Sequence, residues 1–218
     1  MSKKAIAILT VFLSLLIDQV SKIWVKLTMV HGESFNYIGN WARIHFVENE
    51  GMAFGMSFGA GFGKFLLTFF RIIAVGFITY YIAQQIKNKK TSNGFIFALS
   101  LILAGAVGNI IDSIFFGRIF SDSFGHVATF LPKDGGYASW FHGRVVDMIY
   151  FPIITDAQIP MWIPKIGGNK FEFFPFIFNI SDACITIGVF IILIFQKKFF
   201  TEEKNTETAA EIQVTQPE

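Results

Sequence analysis

Four stretches of nearly unbroken apolar sequence, at about residues 5–30, 65–86, 95–116 and 173–195, alternate with polar and glycine-bearing segments. Each is close to the ~20 residues a helix needs to cross a hydrocarbon core of ~30 Å. The pattern predicts an α-helical integral membrane protein with four spans. The first stretch follows Lys3-Lys4 and imitates a secretory leader. No small-residue cleavage site follows its apolar run, so it reads as a retained helix. Lys3-Lys4, Lys87, Lys89-Lys90 and Lys197-Lys198 fall at the ends that four spans bring to one side. The positive-inside rule assigns that side, with both termini, to the cytoplasm. Segments 31–64 and 117–172 then face outward, and the alternation Ala42-Arg43-Ile44-His45-Phe46-Val47 predicts a small sheet in the first of them. Past Phe200 the polar composition predicts a disordered cytoplasmic tail over 201–218, leaving residues 1–200 as one membrane domain.

Composition narrows the class further. The chain is 53% hydrophobic with 28 Phe, and its mean hydropathy of +0.52 is far above that of soluble domains. Net charge is only +2, with Lys and Arg scattered in short clusters, so nucleic acid is excluded as a partner. One cysteine, Cys184, rules out an intrachain disulfide framework and the common multi-cysteine zinc sites. His126 and His142 stand in the outer segment without a His-x-x-x-His or Cys-x-x-Cys pattern, so they read as surface residues. Neither a metal nor a cofactor is implied.

Chemistry is suggested by carboxylates in apolar surroundings. Asp18 interrupts the first stretch, Asp112 lies near the end of the third, Asp182 lies in the fourth, and Asp147 follows Val145-Val146 in the outer segment. Ionisable groups in membrane spans are costly and mark function by default. With helices starting at 95 and 173, Asp112 falls about 25 Å along the third and Asp182 about 10 Å along the fourth, both in the outer leaflet. Asp147 sits beside an apolar stretch able to dip back toward the membrane. Two carboxyls about 3 Å apart share a proton, one serving as base toward water while the other polarises a carbonyl. The plainer reading makes each Asp a helix cap or an ion-pair partner. Asp18 and Lys22, spaced i, i+4, share a helix face and can neutralise each other. Asn109 and Asp112, spaced i, i+3 after Gly105-Ala106-Val107-Gly108, share another face where small residues permit close helix packing.

Other classes are open to the same residues. Cys184 follows Asp182 by two positions, which turns it away on a helix, and an apolar setting does not activate a thiol. Intramembrane acids also mark proton or ion pathways, but acids confined to one leaflet and the lack of an internal repeat weigh against that class. Arg71 can snorkel to the interface and needs no channel. A non-catalytic scaffold would tolerate replacement of the acids.

The residues resemble those of the bacterial lipoprotein signal peptidases, signal peptidase II. The resemblance is carried by Asp18-Gln19-Val20-Ser21-Lys22, Asn49-Glu50-Gly51-Met52-Ala53-Phe54-Gly55, Gly108-Asn109-Ile110-Ile111-Asp112, Gly143-Arg144-Val145-Val146-Asp147 and Phe178-Asn179-Ile180-Ser181-Asp182, in the family's order. It implies an intramembrane aspartyl endopeptidase of the bacterial inner membrane that removes signal peptides from lipidated prolipoproteins just before the diacylglyceryl cysteine. Carried over, Asp147 and Asp182 are the catalytic acids, Asn49, Asn109, Asp112, Asn179 and Arg144 line or brace the site, and Asp18 with Lys22 supports it. The resemblance also implies a sheet-like outer cradle from residues 31–64 and inhibition by globomycin; the expected partners are prolipoprotein and membrane lipid, and the chain is expected to be a monomer. The substrate is expected to arrive laterally from the outer leaflet, with Trp140, Phe141, Phe174 and Phe176 as an aromatic collar.

Two departures stand out. Ser113 occupies the place where the family carries Arg, leaving Arg118 or Arg144 to supply that charge. Some 25 residues, 118–143, are inserted before Asp147, and Gly117-Arg118-Ile119-Phe120-Ser121-Asp122 imitates the block around it. Asp147 is preferred to Asp122 because it matches without a gap, and the insertion reads as a mobile outer loop over the substrate entrance.

Overall fold

The computed structural model describes residues 1–49, 62–165, 167–173 and 175–200. The 201–218 tail, positions 50–61 of the outer cradle with the rest of the Asn49 block, and Phe174 of the aromatic collar lie outside the described residues. Helices α1 (Lys3–Thr28), α2 (Phe62–Lys87) and α3 (Asn93–Ile111) come from the first three apolar stretches. α3 opens on a cap, Ser92 Oγ accepting the N–H of Phe95 at 3.2 Å, which meets one of the four unsatisfied amides of a helix start. It runs on through a π-helical turn (Asp112–Phe116) and the single turn α4 (Gly117–Ile119). Among the described residues, three helical segments are long and apolar enough to cross a membrane: Lys3–Thr28, Gly63–Lys87 and Asn93–Ile119.

The fourth stretch departs from expectation. A helix from 173 is not what forms: Phe173 ends a strand, Ile177–Phe178 is another, and α5 spans only Ile180–Ile194 before a turn and a further helical piece at 196–200. Pro175 offers no N–H to a helical ladder, and Phe173 and Ile177–Phe178 are extended. At 15 residues α5 is about 22 Å long, short of a full span. Asp182 lies in its first turn, not well inside it.

The chain divides into two compact units. One comprises Met1–Ile17, Phe69–Gly108 and the chain from Ser181 onward. Its core is Ala7, Ile82, Phe95, Ile96 and Leu99, while Phe12, Phe77 and Phe190 are exposed, as lipid-facing side chains of a membrane helix are. Glycines set the approach of α3 to α5: a Cβ on Gly105 would overlap the Ser181 carbonyl oxygen, and one on Gly188 would lie 2.7 Å from the Ala98 carbonyl oxygen. This is the close small-residue packing expected from Gly105-Ala106-Val107-Gly108.

The other unit comprises Asp18–Thr68 and Asn109–Ile180. It holds an antiparallel sheet in the order β1-β2-β3-β6, from β1 (Ser34–Ile38), β2 (Ala42–Asn49), β3 (Val145–Tyr150) and β6 (Ile177–Phe178). A separate hairpin pairs β4 (Ile154–Gln158) with β5 (Lys170–Phe173). Register across β2 and β3 pairs Val47 with Asp147, Glu48 with Val146 and Asn49 with Val145. Because side chains alternate along a strand, Asn49 and Asp147 share one face and Glu48 and Val146 the other. The latter face carries the core of Val25, Met29, Phe46, Phe116, Phe120, Val146 and Met148.

The insertion is not a free loop. Phe120, Ser123 and Ala128 are buried, and backbone bonds tie Leu131 N–H to Ile119 O (2.7 Å), Tyr137 N–H to Phe120 O (3.0 Å), Ala138 N–H to Gly117 O (2.8 Å) and the His31 N–H to Ser123 O (2.9 Å). At its end Gly143 N–H reaches Ser113 O at 2.9 Å, and a Cβ there would overlap the Asp112 carbonyl oxygen. Apolar side chains at 116, 120 and 128 give this segment a core to bury, which explains its order.

Candidate active site

One connected polar network lies in the sheet-bearing unit. It starts at Lys22, about five helical turns into α1. Its ammonium lies 3.0 Å from Asp18 Oδ2, 2.8 Å from Asp112 Oδ2 and 3.0 Å from Asn109 Oδ1. All four groups are buried, Lys22 and Asp112 with no exposure at all. The i, i+4 pair foreseen on α1 is therefore a shared site: one cation holds two carboxylates, and Gln19 Nε2 donates to both Asp112 (3.0 Å) and Asp18 (3.1 Å). Asp112 also accepts the Val146 N–H at 3.4 Å, which links the π-helical turn to β3.

From Asn109 the chain of bonds continues to the outer carboxylate. Asn179 Nδ2 donates to Asn109 Oδ1 at 3.2 Å and to Asp147 Oδ1 at 2.6 Å. Asn49 Nδ2 donates to Asp147 Oδ2. Each oxygen of Asp147 thus receives an amide, which fixes the plane of a carboxyl that is only 3% exposed. β2 brings Asn49 and β3 brings Asp147 to one face by register, and Asn179 is delivered by the residue before α5. The structure therefore brings together Asp18, Lys22, Asn49, Asn109, Asp112, Asp147 and Asn179.

Asp182 belongs to the helical unit, in the first turn of α5. Its carboxylate interacts electrostatically with Arg71 of α2, a residue read from sequence as a snorkelling side chain. Asp122, the imitation of Asp147, is partly exposed; it accepts the Phe124 N–H at 3.1 Å and faces His126 at 3.7 Å. Arg118 is exposed. Arg144 turns to the opposite sheet face, 3.4 Å from Glu48 Oε2. Of the aromatic collar, Trp140 stacks edge-on with Phe115 at 5.7 Å and Phe141 with Phe65 at 5.8 Å, while Phe176 is exposed.

Sequence reading missed a second buried cluster on that opposite face. Lys26 Nζ lies 2.5 Å from Glu48 Oε1 and donates to Ser123 Oγ at 2.9 Å. Tyr137 accepts the Arg144 N–H at 2.6 Å, and burial pushes its hydroxyl well above the usual tyrosine range, so it stays protonated. The signal was present in α1, where Asp18, Lys22 and Lys26 recur every four residues on one face.

Comparison with known proteins bears on the family of the chain. A family model described as Signal peptidase (SPase) II matches residues 10–198. The chain is 51% identical over 191 residues to a lipoprotein signal peptidase of Porphyromonas gingivalis, covering 88% of this chain and 82% of the relative. It is 37% identical over 202 residues to one from Amoebophilus asiaticus, covering 92% and 81%. Two solved structures of a bacterial membrane enzyme, obtained by the in meso method, superpose with TM-scores of 0.54 and 0.56 at 27% and 28% identity. The first covers 88% of this chain and 87% of its own; the second covers 86% and 90%.

Proposed function

The chain belongs to the signal peptidase II family, and from that premise we propose that it is an aspartyl endopeptidase acting within the membrane on lipidated prolipoproteins, with Asp147 and Asp182 as its catalytic acids. The observation that carries the reading is the unbroken line of bonds from Lys22 through Asn109 and Asn179 to Asp147, with Asn49 on its second oxygen. Each of the five sequence blocks contributes a member to it. A structural ion pair needs no such convergence on a carboxylate, whereas a reacting group must be held in a fixed orientation before substrate arrives.

In the proposed reaction the ionised carboxylate takes a proton from water as its oxygen attacks the scissile carbonyl. The protonated partner donates to the carbonyl oxygen. Collapse of the tetrahedral adduct breaks the C–N bond, and the proton taken from water passes to the amine of the lipidated cysteine, which leaves as the new N-terminus. Asn49 and Asn179 orient Asp147, and the Lys22 cluster anchors Asn109 beneath Asn179. We assign the short apolar helix Ile180–Ile194 as a fourth span. Both termini are then cytoplasmic, the site is near the outer leaflet of the bacterial inner membrane, and substrate arrives laterally to a monomer that globomycin inhibits.

Expression of Asp147→Asn, Asp182→Asn and Asp122→Asn in separate strains tests the assignment through the mobility of a lipidated precursor. The first two are expected to accumulate uncleaved precursor while Asp122→Asn processes it. Full processing by either of the first two removes that residue from the mechanism.

A further inference from the structure

Glu48 and Asp147 are buried carboxylates on adjacent strands that point to opposite faces of the sheet. Glu48 is one residue from Asn49, the donor to Asp147, and it is paired in register with Val146, the neighbour of Asp147. Its side chain has no exposure and is gripped at both oxygens: Lys26 of α1 at 2.5 Å on Oε1, and Arg144 at 3.4 Å on Oε2. The insertion completes the grip. Ser123 accepts from Lys26, Tyr137 accepts the Arg144 N–H, and the Tyr137 ring lies against both cations, 5.0 Å from Lys26 Nζ and 4.9 Å from Arg144 Cζ. The Phe124 ring lies 5.1 Å from the same guanidinium. Glu48 thus bonds to a helix, and to the residue that leads into β3, from the strand that presents Asn49.

We propose that Glu48 is a positioning residue for Asp147: clamped by Lys26 and Arg144, with Ser123 and Tyr137 of the insertion, it locks the β2–β3 register from the core face and so sets the Asn49 amide against Asp147 on the other. A one-residue slip of this pairing would turn every side chain of one strand to the wrong face. Bonds from one carboxylate to α1 and to the start of β3 resist smaller shifts as well. The inserted segment is, on this account, a brace for the catalytic strand. The inference rests on Asp147 being a reacting group.

The test measures kcat and KM of the purified full chain on a synthetic lipopeptide bearing a diacylglyceryl cysteine, for Glu48→Gln, Lys26→Met/Glu48→Leu and Asp147→Asn. Glu48→Gln is expected to lower kcat about 10- to 100-fold, the cost of displacing a reacting group by about 1 Å, with KM within about twofold. The apolar pair removes Lys26 and Glu48 together and leaves Arg144, partly exposed and stacked on Tyr137 and Phe124, so the fold is expected to be kept, yet its kcat is expected to stay low because no directional contact fixes the strand. Glu48→Asp, which keeps the charge, is expected to recover part of the loss. Wild-type kcat in Glu48→Gln, or in the apolar pair where Glu48→Gln does not fold, overturns the inference while an inactive Asp147→Asn leaves the catalytic reading standing. Full turnover by Asp147→Asn overturns that reading itself.

Discussion

Two faces of one strand pair hold buried carboxylates in different company. On one face Asp147 accepts from two neutral amides, Asn49 and Asn179. On the other Glu48 accepts from two cations, Lys26 and Arg144. Amides bind a carboxyl through directional bonds, which fix its plane toward whatever approaches. Paired cations spend a carboxylate's field locally and turn it into a tie between elements. On the proposed assignment, the partners, more than the carboxylate, separate a reacting site from a strut.

The contrast can be broken at its anchors. Lys22→Met leaves Asp18 and Asp112 buried around a lost cation, and a cost of about 3–5 kcal/mol is expected, since removing one member of a buried pair exposes the whole desolvation penalty of the other. Unfolding of the variant in detergent checks it, and a change under about 1 kcal/mol would mean the cluster is not held by that charge. Asn179→Ala withdraws one donor from Asp147 and from Asn109 and is expected to cost about 1–3 kcal/mol. Its cleavage rate should fall further than its stability accounts for, which a rate measured at matched folded fraction detects.

The smallest expected effect concerns His45 on β2, whose imidazole is held below the usual histidine range by burial, and then by His31 and Arg43. The unfolded chain then binds the extra proton more readily, so this group's stabilisation is full above the ordinary histidine range and is lost as pH falls through the lowered value. Acidification from pH 7 to about 5 should lower Tm slightly in the wild type and less in His45→Asn. An equal drop in both would place the acid sensitivity elsewhere.

Much of this arrangement was legible in residue spacing. The i, i+4 relation of Asp18 and Lys22 and the i, i+3 relation of Asn109 and Asp112 put each pair on one helix face, and both pairs meet at a single ammonium. The alternation at 42–47 became β2. What spacing could not give was partnership between a strand and a helix: Glu48 sits between Val47 and Asn49 with nothing local to show that Lys26 of α1, 22 residues earlier, is its partner. Apolar content misled at the start of the fourth stretch, because hydropathy does not separate a strand such as Ile177–Phe178 from a helix, and Pro175 cannot donate to a helical ladder. It misled again over the insertion, where glycine and polar residues suggested a loose loop. Phe120 and Ala128, spaced too irregularly to show a period, bury it instead.

The central claim is that Asp147, oriented by amides, is a reacting carboxylate. Single-turnover cleavage of the diacylglyceryl lipopeptide by purified, folded Asp147→Asn tests it most directly. The account predicts a rate lowered by about 10³-fold or more, the scale of losing a general acid or base together with its charge. A rate within about tenfold of the wild type would contradict it, since a group worth only about 1.4 kcal/mol is assisting the chemistry and not performing it.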